Sequence, residues 1–294
     1  LQLHDIAARD DRPSSVVFDL FAKTLYATHP YRLSSLGEKQ SVSNIQAADL
    51  HDYHGRFLNP ADMTLAVVGD VETDEVLAYA EKYFSAKSEP STSVAAIAAE
   101  PPWNGARRAE RHLAKAQCHL VYGFPGAKVS DSWRRALEVM QTLLSGQSGR
   151  LFLELRDKRS MAYSVSAMVV EGVDPGYFGV YMATSPEKVN NAVDGIRNEL
   201  LKLTEISVSD GELLRAKQHL IGTHEIGLQR NSARAATMAL DTCYGLGADR
   251  FMRYAEEISA VTPDSIVEVA RRVINFDRSV LAVVGPSIDV ATTA

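Results

Sequence analysis

Cysteine is almost missing from this chain of 294 residues. Cys118 and Cys243 are too few for a disulfide framework and lack the spacing of a metal-binding pair. No apolar run reaches the eighteen or so residues that a bilayer-crossing helix needs. Positive charge is not in excess either: the formal net charge is −6 and no Lys/Arg cluster stands out, which argues against a nucleic-acid surface. The self-sufficient catalytic motifs are also absent. The sequence has no HExxH, no inverse HxxEH, no Gly-x-Ser-x-Gly elbow, no phosphate-binding loop and no dinucleotide fingerprint. Of the eight histidines, His51 and His54 come nearest to a ligand spacing, on what reads as an ordinary solvated helix. His219 and His224, five apart, splay around a helix.

What is there is an ordinary globular composition, 46% apolar and 23% charged, in a length that suggests two domains. The strongest internal signal is a repeat. Leu65-Ala66-Val67-Val68-Gly69 returns as Leu281-Ala282-Val283-Val284-Gly285, preceded in each case by an amphipathic helix and an Arg-x-x-Asn step. Arg56 and Arg272, Asn59 and Asn275, Leu65 and Leu281, Gly69 and Gly285 are each 216 positions apart. A register kept through helix, turn and strand implies two copies of one domain. By that offset the first copy would begin roughly 110 residues before Leu1, so a truncated first domain is expected.

Hydrophobic periodicity predicts helices over 13–27, 44–57, 75–84, 132–144, 150–158, 186–203, 209–229, 233–244 and 263–273. Strands are predicted over 63–68, 117–124, 162–170, 177–183 and 280–284, with Asp174-Pro175-Gly176 as a turn. The Ser-, Pro- and Ala-rich stretch before Gly105 reads as a linker. The expected boundaries are the C-terminal part of a first domain over 1–88, a linker over 89–105 and a second domain over 106–294. The mixture of hairpins and helices suggests an α+β fold, helices packed on a mainly antiparallel sheet.

The segment 146–167 is the remaining candidate for chemistry. Arg156 ends a short helix and Tyr163 opens a strand seven residues later. Such a hairpin can bring a guanidinium and a phenol to one side of a cleft, where both can donate to a peptide carbonyl or to the oxyanion formed in its hydrolysis. The same spacing also suits a helix-end Arg and a packed Tyr.

Gly146…Arg150-Leu151-Phe152…Leu155-Arg156…Ala162-Tyr163-Ser164 resembles the Arg/Tyr signature in the C-terminal half of pitrilysin-family (M16, M16B-like) zinc metallopeptidases. His29-Pro30-Tyr31 with Leu36-Gly37, Asn59-Pro60 with Val67-Val68-Gly69-Asp70, and Val261-Thr262-Pro263-Asp264 with Val283-Val284-Gly285 resemble further stretches of that family. The resemblance spans nearly the whole chain. It implies paired αβ domains of the LuxS/MPP-like metallohydrolase type and hydrolysis of peptides, with Zn2+ in the parent or assembled enzyme. The family's HxxEH is absent here, so this fragment alone is expected to be inactive and to hold no zinc. The resemblance further implies Arg156 and Tyr163 as substrate-binding residues. It places Asp5 where the family's third zinc ligand, a Glu, usually stands; Asp is one methylene shorter. Implied partners are peptide substrates and another M16 chain in a homo- or heterodimer, with no nucleic acid and no membrane span. The compartment, bacterial periplasm or cytoplasm, stays open. Two readings follow: the cleft-binding part of a zinc metalloendopeptidase, or a non-catalytic peptide-binding subunit that completes a zinc-bearing partner.

Overall fold

The computed structural model describes residues 1–84 and 96–286. Five strands form one sheet in the order β1-β5-β2-β4-β3: β1 (Arg107–His112), β2 (Cys118–Pro125), β3 (Ser164–Val170), β4 (Tyr177–Thr184) and β5 (Val280–Gly285). All pairings are antiparallel except β1 with β5. The helices are α1 (Gln2–Asp10), α2 (Pro13–Leu25), α3 (Lys39–Asn44), α4 (Ala47–Phe57), α5 (Thr73–Phe84), α6 (Arg134–Leu144), α7 (Val189–Glu205), α8 (Asp210–Gly227), α9 (Asn231–Cys243), α10 (Tyr254–Ser259) and α11 (Pro263–Val273).

Alternation along the strands sends apolar side chains to both faces. Leu120, Tyr122 and Phe124 of β2, Phe178, Val180 and Met182 of β4 and Val283 of β5 face a core closed by α6, α7, α8, α10 and α11. Val121, Val280, Ala282 and Val284 point the other way, against Val16, Val17, Phe21 and Leu25 of α2. A sheet apolar on both sides needs cover on both sides. Here the second cover comes from α2, more than eighty residues before β1.

The α2 contact is close because the sheet is bare beneath it. Gly123 and Gly179 face each other across β2 and β4, and a Cβ on Gly123 would sit 2.6 Å from the Phe21 ring. Phe21 meets Tyr177 edge-on and Phe18 stacks on Tyr181, with centroids 5.1 and 5.6 Å apart. Arg107 of β1 donates to the Thr24 and Leu25 carbonyls at 2.9 and 3.0 Å, satisfying groups the end of α2 leaves open. Its guanidinium lies 4.2 Å from the Trp103 ring.

Next comes a clamp built on His29-Pro30-Tyr31. The Glu100 carboxylate accepts from the amides of Ala27, Thr28 and His29 at 2.6, 3.0 and 2.9 Å. Buried His29 holds Asp174 through Nε2 at 3.1 Å, and the Tyr26 hydroxyl donates to the Pro175 carbonyl at 3.1 Å. The motif thus pins the end of α2 to the β3–β4 turn.

Two expectations are corrected. Residues 63–68 pair with no strand among the described residues, because β5 is the strand of that pattern with a sheet around it; Met63, Leu65 and Val67 are exposed instead. β1 was not predicted. Its sequence, Arg-Arg-Ala-Glu-Arg-His, has no apolar alternation because it is a charged edge strand whose order comes from β5. Of the expected linker, 96–105 is described, and Glu100 and Trp103 in it make contacts that Ser/Pro/Ala composition does not announce. The rest lies outside the described residues.

Replacing Gly123 by Ala should force Phe21 off the sheet and destabilise the protein by about 1–3 kcal/mol, read as a lower midpoint in urea. The clamp sets a second expectation. The His29 hydrogen bond, then Lys128, hold the Asp174 carboxyl below its ordinary pKa; burial pushes Glu100 up, but its three backbone donors outweigh this and lower it. Carboxylates with depressed values contribute stability that is present above their unfolded pKa and lost as pH falls through the folded one. The thermal midpoint should therefore hold at neutral pH and fall below about pH 4, and Glu100→Gln should flatten part of that fall.

Candidate functional site

The segment that carries Arg156 and Tyr163 is a turn braced from below. After α6, Gly146 adopts φ +79° and Gly149 packs so closely that a Cβ would meet the Ser145 carbonyl. Arg150 then forms a two-point pair with Glu212 of α8, Nε to Oε1 at 2.7 Å and Nη2 to Oε2 at 2.8 Å. Arg150 is thus tied into the scaffold. Leu151 and Leu155, one turn apart, are fully buried, with Leu155 against Gly195 of α7.

From Phe152 to Lys158 the backbone is a π-helix, a wider turn than the α-helix expected there and one found frequently at functional sites. Two residues beyond its end comes Ser160, the one described non-glycine residue in the left-handed region, with φ 49°. The Ser160 amide donates to the Arg156 carbonyl at 3.1 Å and the Met161 amide to Leu155 at 2.7 Å. From the other side Thr184 Oγ1 donates to the Met161 carbonyl at 2.6 Å, Lys188 Nζ to Ser160 at 2.9 Å, and the Tyr163 amide to Ala183 at 2.9 Å. The backbone between the two candidate residues is therefore bonded at 160, 161 and 163.

Both side chains emerge from this frame into solvent. Tyr163 is 72% exposed, and Arg156 is exposed with its guanidinium 4.8 Å from the Phe152 ring centroid. Among the described residues no carboxylate pairs with Arg156. Tyr163 immediately precedes β3, an edge strand of the sheet. That edge is not open throughout: Ser145 Oγ accepts from the Ala167 amide, and Ser145 Oγ and Gln141 Nε2 both donate to its carbonyl, each at 2.9 Å. Sequence reasoning missed this cap, which only the packing of α6 along β3 reveals.

Asp5 lies on α1 with its side chain half exposed, and His4 Nδ1 stands 3.8 Å from it. No group of three His, Cys, Asp or Glu side chains able to hold a metal occurs among the described residues. One carboxylate beside one histidine does not fit a zinc centre, which takes at least three protein ligands. Of the other histidines, His29 holds Asp174 and His119 Nδ1 lies 2.8 Å from the Tyr181 hydroxyl. His224 bonds the Phe251 carbonyl at 3.0 Å and stacks on Tyr254, and His51 and His54 are exposed on α4. No helix among the described residues is long and apolar enough to cross a membrane.

Residues 44–220 match the family described as Peptidase M16 inactive domain. An "uncharacterized zinc protease" of Streptomyces coelicolor is 31% identical over 98% of the chain, and one of Mycobacterium leprae is 30% identical over 97%. The chain spans 64% of the length of each. Among solved structures, a peptidase M16 inactive domain from Pseudomonas fluorescens superposes with a TM-score of 0.84 at 19% identity, covering 99% of this chain and 70% of that one. A protease from Helicobacter pylori does so at 0.87 and 21%, covering 97% and 70%. These two likenesses are of fold. The α+β sheet, the matched domain and the similarity to bacterial zinc proteases agree: the chain belongs to the peptidase M16 family and contains its inactive domain.

Proposed function

We propose that this chain forms the peptide-binding, metal-free wall of an M16 peptidase cleft, with Arg156 and Tyr163 as its substrate contacts. The observation that carries this reading is the pair itself. Among the described residues, a cation with no carboxylate partner and an exposed phenol stand at the two ends of a turn whose backbone is fixed by buried leucines and hydrogen bonds. Held this way, they can donate to a peptide carbonyl, and more strongly to the oxyanion that develops there, with little reorganisation. An extended peptide can add main-chain hydrogen bonds near the start of β3, but not at Ala167, where Ser145 and Gln141 already occupy the backbone.

The domain matched is by its description the inactive one, and the residues present do not fit zinc. The hydrolytic centre therefore comes from residues outside those described, and Asp5 supplies at most one carboxylate toward it. The zinc-protease relatives favour an endopeptidase in which this wall and the metal-bearing domain share one protein. The alternative, a non-catalytic subunit completing a zinc-bearing partner, draws its support from Asp in place of the expected Glu at residue 5.

In the assembled peptidase, Arg156→Ala should lower kcat/KM for an unfolded peptide by roughly 10- to 100-fold, the worth of a charge-assisted hydrogen bond. Tyr163→Phe should cost about fivefold to tenfold. Both variants should leave the thermal midpoint within about 1 °C, since both side chains are exposed. Unchanged turnover in Arg156→Ala would remove the site from this turn.

A further inference from the structure

Arginine is concentrated at one place in the helical layer. Arg134 and Arg135 in the first turn of α6, Arg250 at the start of the turn Arg250–Arg253 and Arg272 in the last turn of α11 line one open cavity of about 520 Å3. The cavity shares no residue with the segment 146–167, so it is separate from the Arg156–Tyr163 turn.

Guanidiniums drawn together from three elements repel one another unless a carboxylate answers each. Arg135 is answered twice: its Nε bonds Glu257 at 2.7 Å and its Nη1 bonds Glu138 at 2.9 Å. Arg134 is answered poorly. Glu171 stands 3.3 Å from its Nε at an angle that makes no hydrogen bond, so that buried nitrogen has no acceptor. Burial also pushes the Glu171 carboxyl above its ordinary pKa, which weakens it as a counter-ion. Arg134 Nη1 donates instead to the Val129 carbonyl at 2.7 Å, and Arg250 Nη1 donates to the same oxygen at 3.2 Å. Two like charges thus meet on one neutral acceptor. Burial, and then the charges of Arg135 and Arg250, hold Arg134 below its ordinary pKa.

The remaining two cations are not neutralised. Arg250 bonds that carbonyl and Arg272 lies 5.3 Å from the Trp133 ring centroid; neither has a carboxylate partner among the described residues. The other acids on the cavity wall do not supply one. Asp131 accepts from the Lys128 amide at 2.8 Å, and Glu268, one turn before Arg272, forms no ion pair with it.

We propose that this cavity binds a dianion of the phosphate type, held by Arg250, Arg272 and the solvent-facing edge of Arg134. Two unanswered guanidiniums call for two negative charges. Planar forks arriving from α6, α11 and the turn at 250 offer more donors than the two oxygens of a carboxylate can take, whereas a tetrahedral phosphate offers three or four acceptors. Trp133 on the same wall gives an organic substituent a flat apolar surface beside the charge.

The test uses the full-length protein in phosphate-free buffer at constant ionic strength. Inorganic phosphate should bind with a Kd of roughly 1 mM in a calorimetric titration. At about 10 mM it should raise the thermal midpoint by about 2–4 °C. Arg272→Gln and Arg250→Gln should each weaken binding at least fivefold, while Arg215→Gln, on the exposed side of α8, should leave it unchanged. Because Arg250 also holds Val129, each rise is read from the variant's own midpoint; Arg272, an exposed side chain, carries the test if Arg250→Gln folds poorly. Phenyl phosphate separates the two sources of the group. Binding several-fold tighter than inorganic phosphate would identify an ester resting on Trp133, and equal binding the free ion. No saturable binding of either up to about 20 mM would overturn the proposal. So would a rise in Arg272→Gln equal to that of the unaltered protein, the mark of general exclusion of phosphate from the surface.

Discussion

The sheet with two apolar faces is the constraint on which the rest of this structure depends. Five strands that bury Leu120 and Phe124 on one side and Val121, Ala282 and Val284 on the other cannot leave either side to water. At about 25 cal/mol per Å2 of apolar surface, leaving such a face uncovered would cost several kcal/mol, comparable to a domain's usual margin of stability. α2 meets that demand, and Gly123 lets it approach as closely as it does. The clamp of Glu100, His29 and Asp174 then fixes where α2 ends relative to the β3–β4 turn.

That frame also accounts for the site. The turn from Arg156 to Tyr163 leaves the protein between α7 and the edge of the sheet, with Leu155 buried and Met161 held from both sides. Its rigidity comes from the core; its freedom to bind comes from the exposure of the two side chains. A peptidase cleft needs groups that do not reorganise as charge develops on the substrate, and a braced turn supplies them at low entropic cost. The wider π-helical turn and the left-handed Ser160 are local irregularities at the place where the family signature lies.

Much of this was legible in the sequence, for identifiable reasons. The long helices and β2–β5 follow from apolar periodicity, and the 216-residue repeat returns as matching caps and turns at Gln46 and Thr262, Asn59 and Asn275. What was not legible depended on partners distant in the chain. Residues 63–68 have a strand's pattern but no neighbouring strand among the described residues. β1 has a neighbour but no pattern. Arg150 sits in the signature next to Arg156, yet Glu212, 62 residues later, makes it a brace. The cap on Ala167 depends on Ser145, whose sequence context marks it only as a helix end.

The most direct test of the central claim, that the Arg156–Tyr163 turn is where peptide is held, is hydrogen exchange on the assembled peptidase with and without a non-cleavable unfolded peptide. The account predicts slowed exchange within residues 160–165 at the amides that have no partner in the turn, and little change at Ser160, Met161, Tyr163 and Ala167, whose amides are already bonded. Protection that appears elsewhere while 160–165 exchange at an unchanged rate would contradict it.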